Sequence, residues 1–310
     1  MIKRLGKSRQ EKTSARPPFE IIEPGRLEGP VVFASPHSGR FYPPALRRAS
    51  ILDRRSLRAS EDGYVDRLLE AVPAAGLPVL KALYGRAYVD LNRARDELDP
   101  AMFDDLPANL SIRPTDRVAA GFGVVPRMVA SGRPIFAGRL PFAVAQARLE
   151  EVHVPYHRAL EELMDRAAER FGFAVLIDCH SMPSHRAILD DGLNSRHGSQ
   201  SAEPDIVLGD RFGSSCAPEL RLAMARHFRD RGYRVIRNQP YAGGYCTEAH
   251  GRPAEARHAI QLEINRQLYL HEASGRLRAE GTRRLQECLG ELAQSLRHLD
   301  LADQLPLAAE

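Results

Sequence analysis

The chain predicts a three-layer α/β/α fold built on a mixed, mostly parallel β-sheet. Three observations support this. Short apolar runs alternate with stretches of helical periodicity along most of the sequence. Several of those runs end in polar residues able to do chemistry, as strands opening onto a site do. The length, 310 residues with 43% hydrophobic content, is enough to bury one large core without staples.

Residues 1–18, MIKRLGKSRQEKTSARPP, are basic. They lack the apolar stretch of a secretory signal and have no amphipathic period, so a mobile tail is expected. VVFAS (31–35) reads as a strand closed by Pro36. Residues 62–76 have helical spacing, with Val65, Leu68 and Leu69 on one face and Gly76 after the end. PVLKAL and AYVDL follow as two short strands. Residues 94–140 are irregular and rich in Pro, Gly and Arg, and so long a loop in a compact domain usually shapes a site.

Residues 141–172 are helical, with Pro155 expected to kink or interrupt them. A buried strand is expected at 173–178, running into Cys179, His180 and Ser181. DIVLGD (205–210) and YRVIRN (233–238) read as strands around a helix at 218–232 that stops at Gly232. HAIQLEINRQLYL (258–270) begins as a strand, and 275–298 is a polar-faced helix. One domain is expected over residues 19–300, with a short C-terminal tail at 301–310.

Composition excludes several classes. No apolar run is long enough to span a bilayer. The balance of 44 basic and 40 acidic residues gives a net charge of +4 and a mixed surface. With no basic helix, zinc-finger spacing or RNA-binding aromatic pattern, a nucleic-acid partner is not expected. The cysteines, Cys179, Cys216, Cys246 and Cys288, are scattered without a CxxC, which suits free thiols in a cytoplasmic protein.

The candidate site is collected from strand ends. SPHSGRFYPP offers His37, DLNR offers Asp90, Asn92 and Arg93, and LIDCHS offers Asp178 and His180. Two distant histidines and an acid suit a zinc centre assembled in space, although a lone histidine is more often structural. Asp178, two residues before His180, suits a partner that orients a ligating imidazole, and Ser181 is a further supporting candidate. Alternation puts Ile260, Leu262 and Ile264 on one face of their strand and Gln261, Glu263 and Asn265 on the other. That polar face either lines a cleft or meets solvent.

Arg93 has the chemistry of a bidentate carboxylate clamp, or of a surface ion pair. Arg86 is a further substrate-binding candidate. Gly243 and Gly244 allow close backbone approach to a ligand, with His250 nearby, unless PYAGGYCTEAHGRP is an ordinary glycine turn. Cys179 and His180 are adjacent on a strand and point to opposite faces, which argues against a thiol dyad.

Together, SPHSGRFYPP, EDGYVDRLLEA, RAYVDLNR, LIDCHSMPS, NQPYAGGYCTEAHGRP and HAIQLEINRQLYL resemble the N-formylglutamate amidohydrolase family, over residues 30–272. That family resembles the zinc carboxypeptidases and aspartoacylase-like enzymes, which implies a phosphorylase/hydrolase-like α/β/α sheet. The resemblance implies His37 and His180 as zinc ligands, Asn92 and Arg93 as substrate-carboxylate ligands and Glu263 as general base. Carboxypeptidases place a glutamate ligand three residues after the first histidine, but here that position is Arg40, which cannot ligate a cation. Asp62 is the expected substitute and Glu61 its alternative, while a helix N-cap is the competing role for Asp62.

The implied reaction is hydrolysis of N-formyl-L-glutamate to formate and L-glutamate, in histidine degradation, with Zn2+ or another divalent metal. Deacylation of another N-acyl amino acid or a short peptide keeps the same fold. A non-catalytic binder of acidic metabolites is the rival from another class, and chelation followed by Zn2+ readdition discriminates it from an enzyme.

Overall fold

The computed structural model describes residues 16–184 and 203–301. Most of both expected tails lies outside them. The parts that are described pack onto the body: Pro18 O accepts from Leu83 N, and Leu301 is buried.

Seven strands form the main sheet: β1 (Phe19–Ile22), β2 (Val31–Ser35), β3 (Val79–Ala82), β4 (Ala174–Met182), β5 (Ile206–Gly209), β6 (Val235–Arg237) and β7 (Arg257–Asn265). Their order is β1-β3-β2-β4-β7-β5-β6. β2 pairs in parallel with β3 and β4, β4 with β7, and β5 with β6. β1–β3 and β7–β5 are antiparallel. The mixed, mostly parallel sheet is therefore as expected.

Period-2 alternation divides the core between the two faces of the sheet. Val32, Ala34, Leu176 and Ala259 join one cluster with the helix Val154–Phe171. Val31, Phe33, Val175, Ile177, Cys179, Ile260, Leu262 and Ile264 join the other, with the helices Pro218–Asp230 and Ala279–Leu296. The central strands are covered on both sides, which is why they read as continuous apolar runs.

Several elements differ from expectation. Residues 62–76 hold only the short helix Val65–Leu68 and a 3-10 turn at Val72–Ala75, although Val65, Leu68 and Leu69 are buried. AYVDL is not a strand. Its backbone is satisfied by tertiary partners: Arg148 Nη1 donates to Tyr88 O, and Asp90 N donates to Val124 O. The helix around Pro155 widens into a π-turn at Leu149–His153 just before the proline, which supplies no N–H. β4 runs on through His180 to Met182 instead of ending at Asp178.

Candidate active site

β4 and β7 run parallel, with His180 paired to Glu263 and Asp178 to Gln261. Because these residues share one face, the sheet sets their side chains side by side at the carboxyl ends of two central strands. His37 follows β2, the other parallel neighbour of β4. Asp62 is fixed by its own backbone, its N–H donating to His37 O at 3.0 Å.

Asp62 lies between the two imidazoles. Its Oδ2 is 2.9 Å from His180 Nδ1 and 3.4 Å from His37 Nδ1. The far nitrogens face carboxylates: His37 Nε2 is 2.7 Å from Asp90 Oδ1, and His180 Nε2 is 2.9 Å from Asp178 Oδ2. All of these groups are buried. His37, Asp62 and His180 each offer one ligand atom, all within 4.8 Å of one another. His37 Nδ1, buried and without a hydrogen bond, faces that same point. A carboxylate oxygen and two Nδ1 atoms converging, each imidazole braced from behind by an acid, fit a divalent cation.

The clustered carboxylates dominate the electrostatics. Burial pushes the His180 pKa down, but the charge of Asp178 and hydrogen bonds to Asp178 and Asp62 outweigh it and raise it well above the usual value. Burial likewise opposes ionisation of Asp62, yet its bond to His180 and its contact with the His37 imidazole hold it well below the carboxylate range. Asp90 is also held low: Arg86 and His37 overcome its burial. Glu263 has no such partner. Burial pushes its pKa up to about 7, against the pull of His180 and with the repulsion of Asp62. Gln261 Nε2 donates to Glu263 Oε1 at 2.8 Å and fixes the carboxyl.

Glu61 points elsewhere, accepting from Tyr42 Oη and Arg58 Nε. Asp62 makes no side-chain cap, since the helix Val65–Leu68 begins at Tyr64 without one. Arg40 forms a two-bond pair with Asp66. Cys179 lies on the opposite sheet face, fully buried, its pKa raised well above normal by burial.

These groups open onto a cavity of about 560 Å3 that is also lined by Arg86, Asn92, Arg93, Gly243 and Gly244. Arg86 Nε donates to Asp90. Asn92 is held between Cys246 N, Gln261 Oε1 and His180. Arg93 donates to the carbonyls of Phe122 and Asn92, and among the described residues forms no ion pair. Gly244 must be glycine: a Cβ would fall 2.4 Å from the Asn92 amide. Ser181 Oγ accepts from Arg266.

His250 is not part of the cavity lining. It is buried behind it, with Nδ1 2.9 Å from Glu161 Oε2. Sequence reasoning missed Arg266, which bridges Ser181 and Asp62 Oδ1. It also missed His153 and His157, whose Nε2–H groups donate to the carbonyls of Arg93 and Leu91 on either side of Asn92. The four-residue spacing of HVPYH on a helix was the available signal.

Fold and site together define an α/β protein with a buried His–Asp–His group suited to a metal, beside a glutamate poised near neutrality. The family model for N-formylglutamate amidohydrolase matches residues 29–270, and the chain belongs to that family. It is 31% identical over 281 residues to the N-formylglutamate deformylase of Pseudomonas aeruginosa, covering 89% of this chain and 96% of that one. It is 32% identical over 251 residues to the Pseudomonas putida deformylase, covering 80% and 84%. The crystal structure of N-formylglutamate amidohydrolase from Ralstonia eutropha JMP134 superposes with a TM-score of 0.82 at 36% identity, over 90% of this chain and 97% of that one. A gene product of Agrobacterium tumefaciens, Atu2144, shares the fold with a TM-score of 0.64 at 15% identity, over 91% of this chain and 95% of that one. Among the described residues no helix is long and apolar enough to cross a membrane.

Proposed function

We propose that this chain is a metal-dependent amidohydrolase that cleaves N-formyl-L-glutamate with water to formate and L-glutamate. Family membership supports the substrate. One observation carries the metal: the Asp62 carboxylate faces Nδ1 of both histidines, while acids hold their far nitrogens. His37, Asp62 and His180 would hold the ion, and this nitrogen–oxygen donor set suits Zn2+. When bound, the ion lowers the pKa of water to about 7 and polarises the formyl carbonyl.

Glu263 takes the proton from the attacking water and delivers it to the leaving amine nitrogen. A C–O bond forms at the formyl carbon, the C–N bond breaks, and the proton ends on the nitrogen. Burial raises the proton affinity of this carboxyl, which favours its taking up and then handing on that proton. Gln261 keeps the accepting carboxyl aimed. Arg93, half-buried without an ion-pair partner among the described residues, binds a substrate carboxylate, with Asn92 beside it. Arg86 adds positive charge to the same wall, and Gly243 and Gly244 let backbone approach the substrate.

The test is a panel of N-formyl, N-acetyl and longer N-acyl amino acids with Zn2+-loaded protein. N-formyl-L-glutamate should have the highest kcat/KM. A clear preference for another acyl group would replace this reading with a different deacylase.

A further inference from the structure

Among the described residues, four arginines line the cavity: Arg86, Arg93, Arg117 and Arg266. Two are paired, Arg86 with Asp90 at 2.8 Å and Arg266 with Asp62 at 3.1 Å. Among the described residues Arg93 is bonded only to backbone carbonyls. Arg117 lies in the helical turn Asp116–Ala119, and among the described residues its side chain carries neither a hydrogen bond nor an ion pair. The turn itself is firmly placed. Thr115 Oγ1 accepts from Val118 N, Val118 is buried, and Phe122 N donates to Arg117 O.

The cavity is thus electrostatically divided. Among the described residues its lining carries the carboxylates Asp62, Asp90 and Glu263, and two of its arginines, Arg93 and Arg117, form no ion pair. The two cations feel one another: burial acts first to push the Arg93 pKa down, Asp90 and Glu97 oppose it, and Arg86 and Arg117 add to it. Arg117 also acts on Tyr241, which lines the same cavity. Cations in a cleft that are not consumed by ion pairs favour an anionic occupant. A substrate with two carboxylates matches two free cations, and Arg93 accounts for only one.

We propose that Arg117 is a specificity-determining residue that binds the side-chain carboxylate of the substrate while Arg93 binds the α-carboxylate. The assignment follows depth. Arg93 is the more buried and adjoins Asn92 beside His180, whereas Arg117 is exposed at the outer end. The cavity then selects N-formyl derivatives of dicarboxylic amino acids over neutral ones. The inference rests on the N-formylglutamate reading above.

The experiment measures kcat and KM of Zn2+-loaded wild type, Arg117→Ala and Arg117→Lys on N-formyl-L-glutamate and N-formyl-L-glutamine. Arg117→Ala should lose about tenfold in kcat/KM on the glutamate, mainly through KM, as for one solvent-accessible bond to a charged group. It should leave the glutamine nearly unchanged, and Arg117→Lys should recover part of the loss. An equal fall on both substrates, or no fall on either, overturns the inference while wild-type turnover of N-formyl-L-glutamate keeps the parent reading. A wild type inactive on N-formyl-L-glutamate overturns both.

Discussion

Glu263→Gln should raise stability while it removes activity. Glu263 is buried, and its pKa is pushed from 4.5 up to about 7. At roughly 1.4 kcal/mol per pH unit, ionising it costs the folded state about 3 kcal/mol. The sign follows from where the proton is held more tightly. The folded state binds it more strongly than the unfolded chain, so the cost is absent below about pH 4.5 and complete above about pH 7. Glutamine keeps the acceptor that Gln261 Nε2 requires but never ionises. Denaturant unfolding of chelated protein should therefore show the variant more stable than wild type by up to ~3 kcal/mol at about pH 8.5, and equal near pH 4.5. Chelation is needed because a bound cation would offset the cost. With metal restored, kcat should fall by roughly 10²–10⁴, the range for a lost general base. Equal stability at the higher pH, or near-normal kcat, would refute the reasoning.

Three further expectations can be tested together. Arg93→Ala should cost on the order of 2–5 kcal/mol in kcat/KM on N-formyl-L-glutamate and much less on its α-carboxamide analogue, with Arg93→Lys not restoring it. A coupling energy near zero between the variant and the analogue would show that Arg93 does not meet the carboxylate. His157→Leu leaves the Leu91 carbonyl beside Asn92 with only the weak Cys246 thiol donor at 3.6 Å. It should cost about 1–3 kcal/mol of stability and lower kcat/KM, whereas His157→Gln, which keeps a donor, should retain more of both. Glu161 is held at about 2 from 4.5, first by its contact with His250, so it contributes stability above pH 4.5 that is lost as pH falls toward 2. Glu161→Gln should flatten acid unfolding across that window, and an unchanged acid limb would count against the contact.

How much of this was legible depended on where each signal lay. β2, β4 and β7 are buried on both faces, and their apolar runs were visible. β1 is short and half-buried at the sheet edge, with no such run. AYVDL looked like a strand because its residues are apolar, but partners distant in sequence, Arg148 and Val124, take its backbone bonds. Alternation on β7 correctly separated Glu263 from Ile264, and the same rule placed Gln261 beside Glu263 before any contact was known. Between Glu61 and Asp62 the expectation favoured Asp62 and kept Glu61 as its alternative, with no local signal to separate them. The choice is made by a backbone bond from Asp62 to His37 and by Tyr42 and Arg58 holding Glu61, all tertiary facts. Arg117 had no local signal at all, since only the folded cavity sets it apart from other surface arginines.

The central claim is that a cation held by His37, Asp62 and His180 drives hydrolysis of N-formyl-L-glutamate. Its most direct test is to measure metal content and formate release on the same samples of wild type, chelated wild type, Zn2+-restored wild type and Asp62→Ala. The account predicts close to one divalent ion per wild-type chain, loss of both ion and activity on chelation, return of both with Zn2+, and neither in Asp62→Ala. Full formate release from chelated protein, or a full metal complement in Asp62→Ala, would contradict it.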